Sequence, residues 1–84
     1  MVEETYYVYI LRCADATLYT GITNDLSRRL QLHNSGKGAK YTRGRGPVAC
    51  VYHEICMGRA EAQKREYAIK RLSREEKERL IAPN

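Results

Sequence analysis

Tyr19-Thr20-Gly21-Ile22-Thr23-Asn24-Asp25-Leu26-Ser27-Arg28-Arg29-Leu30-Gln31-Leu32-His33 decides how this chain is read. Its opening residues, from Tyr19 to Ile22, suit a strand. The polar run Thr23-Asn24-Asp25 interrupts, and Leu26 and Leu30, four apart, then begin a helical period. Thr23 or Asn24 is the expected N-cap, with Asp25 in the first turn, where an acid complements the helix dipole. Arg29 and His33 are also four apart, on a face beside the two leucines, so they can share a site. Ser35-Gly36 supplies the stop. A strand therefore runs straight into a helix, and the unit carries a tyrosine, a glycine, an arginine and a histidine.

Upstream, Tyr6-Tyr7-Val8-Tyr9-Ile10-Leu11 is rich in aromatic and branched residues and reads as the first strand. Ala14-Asp15-Ala16-Thr17 reads as a tight turn, so a hairpin joins the two strands. Loop length then decides the site. A two-residue loop would send Tyr9 and Tyr19 to opposite faces, because side chains alternate along a strand. A three-residue loop, Ala14 to Ala16, pairs Leu11 with Tyr19 and Tyr9 with Gly21, placing both phenols on one face. That loop or an equivalent bulge is the expectation, with Ala16 in the left-handed region despite its Cβ.

Downstream, residues 36–47 form a glycine-rich basic loop without apolar period, expected to move. Residues 48–55 read as the third strand. Residues 59–72 read as a helix burying Ala62, Ile69 and Leu72. Ser73-Arg74-Glu75-Glu76 fits a capping box for a last helix ending near Ile81. The order is β-β-α-β-α-α. The expected fold is α+β: a three-stranded, mainly antiparallel sheet flanked by about three helices, with residues 1–84 as a single domain.

Charge is unevenly spread. Between Leu26 and His53 there are six Lys or Arg and no acid, within a net charge of +5. Such a one-signed block suits a phosphate-facing surface, though a merely solvated face has the same composition. Cys13, Cys50 and Cys56 match no zinc spacing and form no closed disulfide set, so they read as small apolar residues in a reduced compartment. No run is long enough to span a membrane, and the acidic start Met1-Val2-Glu3-Glu4 is unlike a signal peptide, so the expected location is cytoplasmic.

Tyr7-Val8-Tyr9, then Tyr19-Thr20-Gly21, then Arg29, His33 and Glu66 together resemble the GIY-YIG nuclease superfamily, most of all its small stand-alone bacterial members. Neither tripeptide alone is specific. The joint spacing is: ten residues from Tyr9 to Tyr19, ten from Tyr19 to Arg29, four from Arg29 to His33, and a glutamate on the next long helix. The chain departs from the pattern in having Tyr7 and Val8 in the first tripeptide and Thr20 in the second. It also offers no match to the asparagine that many relatives carry after the glutamate helix.

The resemblance implies catalytic roles for Tyr9, Tyr19, Arg29, His33 and Glu66, with Glu66 holding one divalent metal, Mg²⁺ or Mn²⁺. It implies hydrolysis of phosphodiester bonds in nucleic acid, DNA before RNA, as structure-selective cleavage linked to DNA repair or processing. Arg29 would grip a phosphate oxygen. Tyr9 or Tyr19 would orient or deprotonate water, and His33 would accept a tyrosine proton or hold the phenol in place. Gly21 would allow close approach. Arg28, Lys37, Lys40, Arg43 and Arg45 would contact phosphates, and Tyr41 would stack on an unpaired base or anchor the loop. Taken singly, each residue has a plainer reading, such as a Glu66–Lys70 surface ion pair. The competing functions are a nucleic-acid-binding module without turnover, and an adaptor that meets another protein through residues 73–81.

Overall fold

The structure is a computed structural model that describes residues 4–82, apart from the side chain of Lys40. Met1, Val2 and Glu3 of the acidic start lie outside the described residues. Three strands, β1 (Thr5–Arg12), β2 (Leu18–Thr23) and β3 (Ala49–Met57), and three helices, α1 (Leu26–Asn34), α2 (Arg59–Lys70) and α3 (Arg74–Ile81), follow one another as β1-β2-α1-β3-α2-α3. Strand order in the sheet is β2-β1-β3, and both neighbouring pairs are antiparallel. The fold is the expected α+β sheet with three helices. No helix among the described residues is long and apolar enough to cross a membrane.

The hairpin has the three-residue loop. Leu11 pairs with Tyr19 and Tyr9 with Gly21. The Cys13 N–H donates to the Thr17 carbonyl at 2.9 Å, closing the loop, and Ala16 takes a φ of 69°. The strain of that left-handed alanine is tolerated because Asp15 fastens the turn. Its carboxylate accepts from the Thr17 N–H at 3.1 Å and the Thr17 hydroxyl at 2.6 Å.

Being central, β1 is buried on both faces. Val8 and Ile10 pack with Cys56 and with Ala62 and Ile69 of α2, extended by Leu80 and Ile81 of α3. Tyr9, Leu11, Cys13 and Val48 pack on the other face with Tyr19, and with Leu26 and Leu30 of α1. Alternation along one strand thus separates two small cores, α2 and α3 on one face and α1 on the other. β3 runs two residues beyond the expected end, because Cys56 and Met57 pair with Tyr6 and Thr5 and complete the ladder on β1. It bulges between the partners of Ile10 and Leu11. α2 ends at Lys70 rather than residue 72. The Ser73–Glu76 capping box is formed.

The N-cap of α1 is Asp25, not Thr23 or Asn24. The Thr23 hydroxyl accepts from the Asp25 N–H at 3.1 Å, holding Asp25 extended, and its carboxylate accepts from the Arg28 N–H at 3.1 Å. The helix closes as a Schellman motif, with Gly36 at φ 80° and bonds from Gly36 N–H to His33 O and from Lys37 N–H to Leu32 O.

The basic loop is more anchored than its composition suggests. A 3-10 turn, Lys40–Thr42, buries Thr42 to 1% exposure. The Arg45 carbonyl accepts from the Ala14 N–H at 2.8 Å. The Asn34 side chain exchanges two hydrogen bonds with the Val48 backbone. The loop is therefore tied at both ends and in its middle.

Candidate active site

The hairpin register sets Tyr9 opposite Gly21, and the absent side chain is what lets the phenol lie flat across β2. A Cβ on Gly21 would stand 2.6 Å from the Tyr9 hydroxyl and 2.8 Å from its Cζ. The Tyr9 hydroxyl reaches the α1 side chain of His33, 3.0 Å from Nε2. Nδ1 of His33 lies 2.8 Å from the Thr42 hydroxyl, which donates in turn to the Ala39 carbonyl at 2.9 Å. Tyr9, His33 and Thr42 are each about 1% exposed. Tyr19 lies over this row, its ring 5.4 Å from His33 and 6.4 Å from Tyr9, centre to centre.

Burial pushes the Tyr9 phenol up to about 12, and the Arg29 guanidinium beside it acts against that rise. The Tyr19 phenol and the Glu66 carboxylate add to it. Burial, then Arg29, hold His33 below its usual range, so the imidazole is neutral at pH 7. Burial thus raises the phenol and lowers the imidazole, which favours a neutral hydrogen bond between Tyr9 and His33 over transfer of the proton between them.

The neutral, buried His33 also fixes a pH response. Its folded-state pKa lies below its unfolded value, so below about pH 6.5 the unfolded chain binds the extra proton and stability falls as pH drops. Thermal melts between pH 8 and pH 5 should show Tm falling on the acid side of 6.5. A His33→Gln variant, less stable overall, should show a flatter slope there. Equal slopes in the two proteins would count against the assignment.

Glu66 reaches the cluster from a different direction. It sits on α2, which packs on the sheet face opposite α1, but α2 also packs along the edge strand β2. Ala62, Glu66 and Ile69 share the sheet-facing side of the helix. From there the carboxylate is within the electrostatic field of Tyr9. Lys70, one turn on, pairs with it at 3.2 Å. Among the described residues, no three His, Cys, Asp or Glu side chains cluster as a cation cage. A lone carboxylate fits a hard cation that keeps most of its water and is completed by a phosphate, and does not fit a closed zinc-type site.

Two hollows flank β2 along its free edge. One is lined by Tyr6, Ile22, Thr23, Asn24, Arg29 and Arg59. The other is lined by Leu18, Tyr19, Thr20, Tyr41, Lys70 and Lys77. Arg28 lines a further cleft with Arg29 at the start of α1. Arg59, Lys70 and Lys77 were not legible as site residues. They lie far along the chain among acids, and only helix packing against β2 brings them to the groove.

The loop residues divide. Lys37 and Arg43 are exposed; the Lys40 side chain lies outside the described residues. Arg45 is engaged with the protein itself, ion-paired to Asp15 and 4.6 Å over the Tyr41 ring. Tyr41 also stacks on Tyr19, with centres 5.8 Å apart and planes at 26°. These contacts seat the loop on the hairpin, while Tyr41 remains 43% exposed. His53 is exposed, packs edge-on to Tyr7, and is the cross-strand partner of Tyr9 on β3.

Residues 5–79 match the model of the GIY-YIG catalytic domain. The chain is 57% identical over 94% of its length to UPF0213 protein OB0043 of Oceanobacillus iheyensis, covering 92% of that protein. It is 59% identical over 90% of its length to UPF0213 protein CPE1444 of Clostridium perfringens, covering 82% of it. Among solved structures, the UPF0213 protein BH0048 of Bacillus halodurans superposes with a TM-score of 0.61 at 50% identity, over 95% of this chain and 85% of that one. With a match that spans the sheet, α1, α2, most of α3 and every member of the buried cluster, this chain belongs to the GIY-YIG family.

Proposed function

We propose that the protein is a divalent-metal-dependent endonuclease that hydrolyses phosphodiester bonds in nucleic acid, DNA before RNA, selecting substrates by structure in DNA repair or processing. The observation that carries this reading is the meeting of Tyr9, Tyr19, Arg29 and His33 beside the field of Glu66, in a chain of the GIY-YIG family.

Each group has a task its surroundings suit. Arg29 presents a planar fork to a phosphoryl oxygen. Tyr19 is the phenol that meets water. It is half-buried, lines the groove, and among the described residues has no hydrogen-bond partner on its hydroxyl. Tyr9 is sealed behind it, its hydroxyl hydrogen-bonded to His33. Glu66 would hold Mg²⁺ or Mn²⁺, which when bound relieves charge on the phosphoryl and leaving oxygens. Arg28 and Arg59 at one end of β2, and Lys70 and Lys77 at the other, would follow the phosphate backbone, with Lys37 and Arg43 outside them. Such contacts position a strand without reading bases, which supports selection by shape.

One observation favours a second reading, a nucleic-acid-binding module without turnover. Lys70 already neutralises the Glu66 carboxylate and competes with a cation for it.

The test is a panel of labelled DNA and RNA structures incubated with and without Mn²⁺, beside an Arg29→Ala variant. Cleavage should require the metal and fall by roughly 10²–10³-fold in the variant, the usual cost of losing one preorganised charge-stabilising donor. Binding without cleavage of any substrate would establish the second reading instead.

A further inference from the structure

We infer that Thr42 is a positioning residue that fixes His33 in its Nδ1–H tautomer and thereby directs the Tyr9 proton away from the reacting groups. Proton accounting along the buried row leads there. A threonine hydroxyl has one hydrogen, and that of Thr42 is committed to the Ala39 carbonyl, which can only accept. The hydrogen bond between Thr42 and His33 must then be donated by the imidazole, so Nδ1 carries the proton. A neutral imidazole has one proton, so Nε2 is the acceptor and the Tyr9 hydroxyl is the donor at 3.0 Å. With its hydrogen turned inward, the Tyr9 oxygen offers its lone pairs outward, toward Arg29. In the opposite tautomer every direction reverses, and the Tyr9 hydrogen faces the same cation.

The arrangement is built for this. Thr42 donates twice to Ala39, through its backbone N–H at 3.0 Å and its hydroxyl at 2.9 Å, which locks the side chain in the 3-10 turn. Gly38 lets the loop backbone lie directly against the imidazole, where a Cβ would be 2.4 Å from Nδ1. The charged or titratable groups whose fields reach Tyr9 are Arg29, Tyr19 and Glu66, and Arg29 acts on His33 as well. None of them hydrogen-bonds Nδ1, so among the described residues it is Thr42 that sets the tautomer there.

The consequence for turnover rests on the nuclease reading; the tautomer does not, and the experiment separates them. Nitrogen-15 NMR of the imidazoles at pH 7.5 should show His33 with Nδ1 protonated and Nε2 bare in the wild type. Thr42→Val, which keeps the shape and removes the hydroxyl, should shift His33 toward the Nε2–H form, and Thr42→Ser should restore it. In cleavage assays the valine variant should lose about 10–100-fold in kcat with KM little changed, by analogy with the scale known for outer hydrogen-bond partners of metal-bound histidines. The serine variant should recover most of that. An Nε2–H tautomer in the wild type, or an unchanged tautomer in Thr42→Val, would overturn the inference. If Thr42→Val does not fold, the wild-type and serine spectra still decide it. The expected tautomers with no cleavage by the wild type would leave the inference standing and remove the nuclease reading.

Discussion

On the nuclease reading, Glu66→Gln should leave a folded protein that no longer cleaves. Among the described residues, the only direct contact of the carboxylate is the ion pair with Lys70, which is i,i+4 and partly solvated. Pairs of that kind contribute only about 0.3–0.5 kcal/mol, so Tm should move by no more than a few degrees. The amide is isosteric but carries no charge for a hard cation. Losing the several kcal/mol that a cation supplies to phosphoryl transfer corresponds to a rate loss of roughly 10³-fold or more. The measurements are a thermal melt and a cleavage time course in Mn²⁺, run on the same preparation. A glutamine variant that cleaves within tenfold of the wild type would make Glu66 what its neighbours suggest, half of a surface pair. Lys70→Ala is the informative companion. It frees the carboxylate, and on the proposed reading it lowers the metal concentration needed for half-maximal rate. Its own lost phosphate contact shows separately, as weaker substrate binding.

Most of the fold was legible because its signals are local. The alternation in Tyr6–Leu11, the turn at Ala14–Ala16, the leucine spacing in α1 and the Ser73–Glu76 box each involve residues within a few positions of one another. The hairpin register, the one non-trivial inference, followed from asking which loop length puts two tyrosines on one face. The misplaced N-cap of α1 shows the limit of local reasoning. Thr23, Asn24 and Asp25 are all competent caps, and the choice fell to a hydrogen bond between two of them. What was illegible depends on long-range packing. Thr42 and Gly38 sit in a stretch whose composition reads as mobile and phosphate-binding, and their attachment to His33 appears only once α1 and β3 fix the loop ends. Arg45 was read as a phosphate contact and Tyr41 as a base-stacking residue or a loop anchor. Their partners in the fold, Asp15 and Tyr19, come from the hairpin about 20 to 30 positions earlier and are not visible from loop composition. The groove cations Arg59, Lys70 and Lys77 come from helices whose mixed charge hid them.

Gly38→Ala should be the most destabilising single-methyl addition in the loop, and it tests whether the loop is a docked part of the site or a tether. An alanine Cβ at this position would lie 2.4 Å from His33 Nδ1, 2.7 Å from its Cγ and 2.8 Å from its Cα. The Cα is helix backbone and cannot swing aside. The ring is held at both nitrogens and is 1% exposed. The strain is therefore relieved by lifting the loop, which breaks the His33–Thr42 hydrogen bond and leaves buried polar atoms without partners. Overpacking of this kind costs about 1–3 kcal/mol and an unsatisfied buried donor about 1–3 more. For a domain of this size that corresponds to a Tm lower by roughly 10–30 °C. Gly44 is the control, six residues on in the same loop. It has a φ of 76° but nothing within 4 Å of an added Cβ, so Gly44→Ala meets backbone strain alone, about 1–2 kcal/mol. The comparison is between these two melts. A Gly38→Ala protein that unfolds no lower than Gly44→Ala would mean that the loop is not seated on His33. Thr42 would then have no hold on the imidazole, and the ordered row from Ala39 to Tyr9 would lose the contact that begins it.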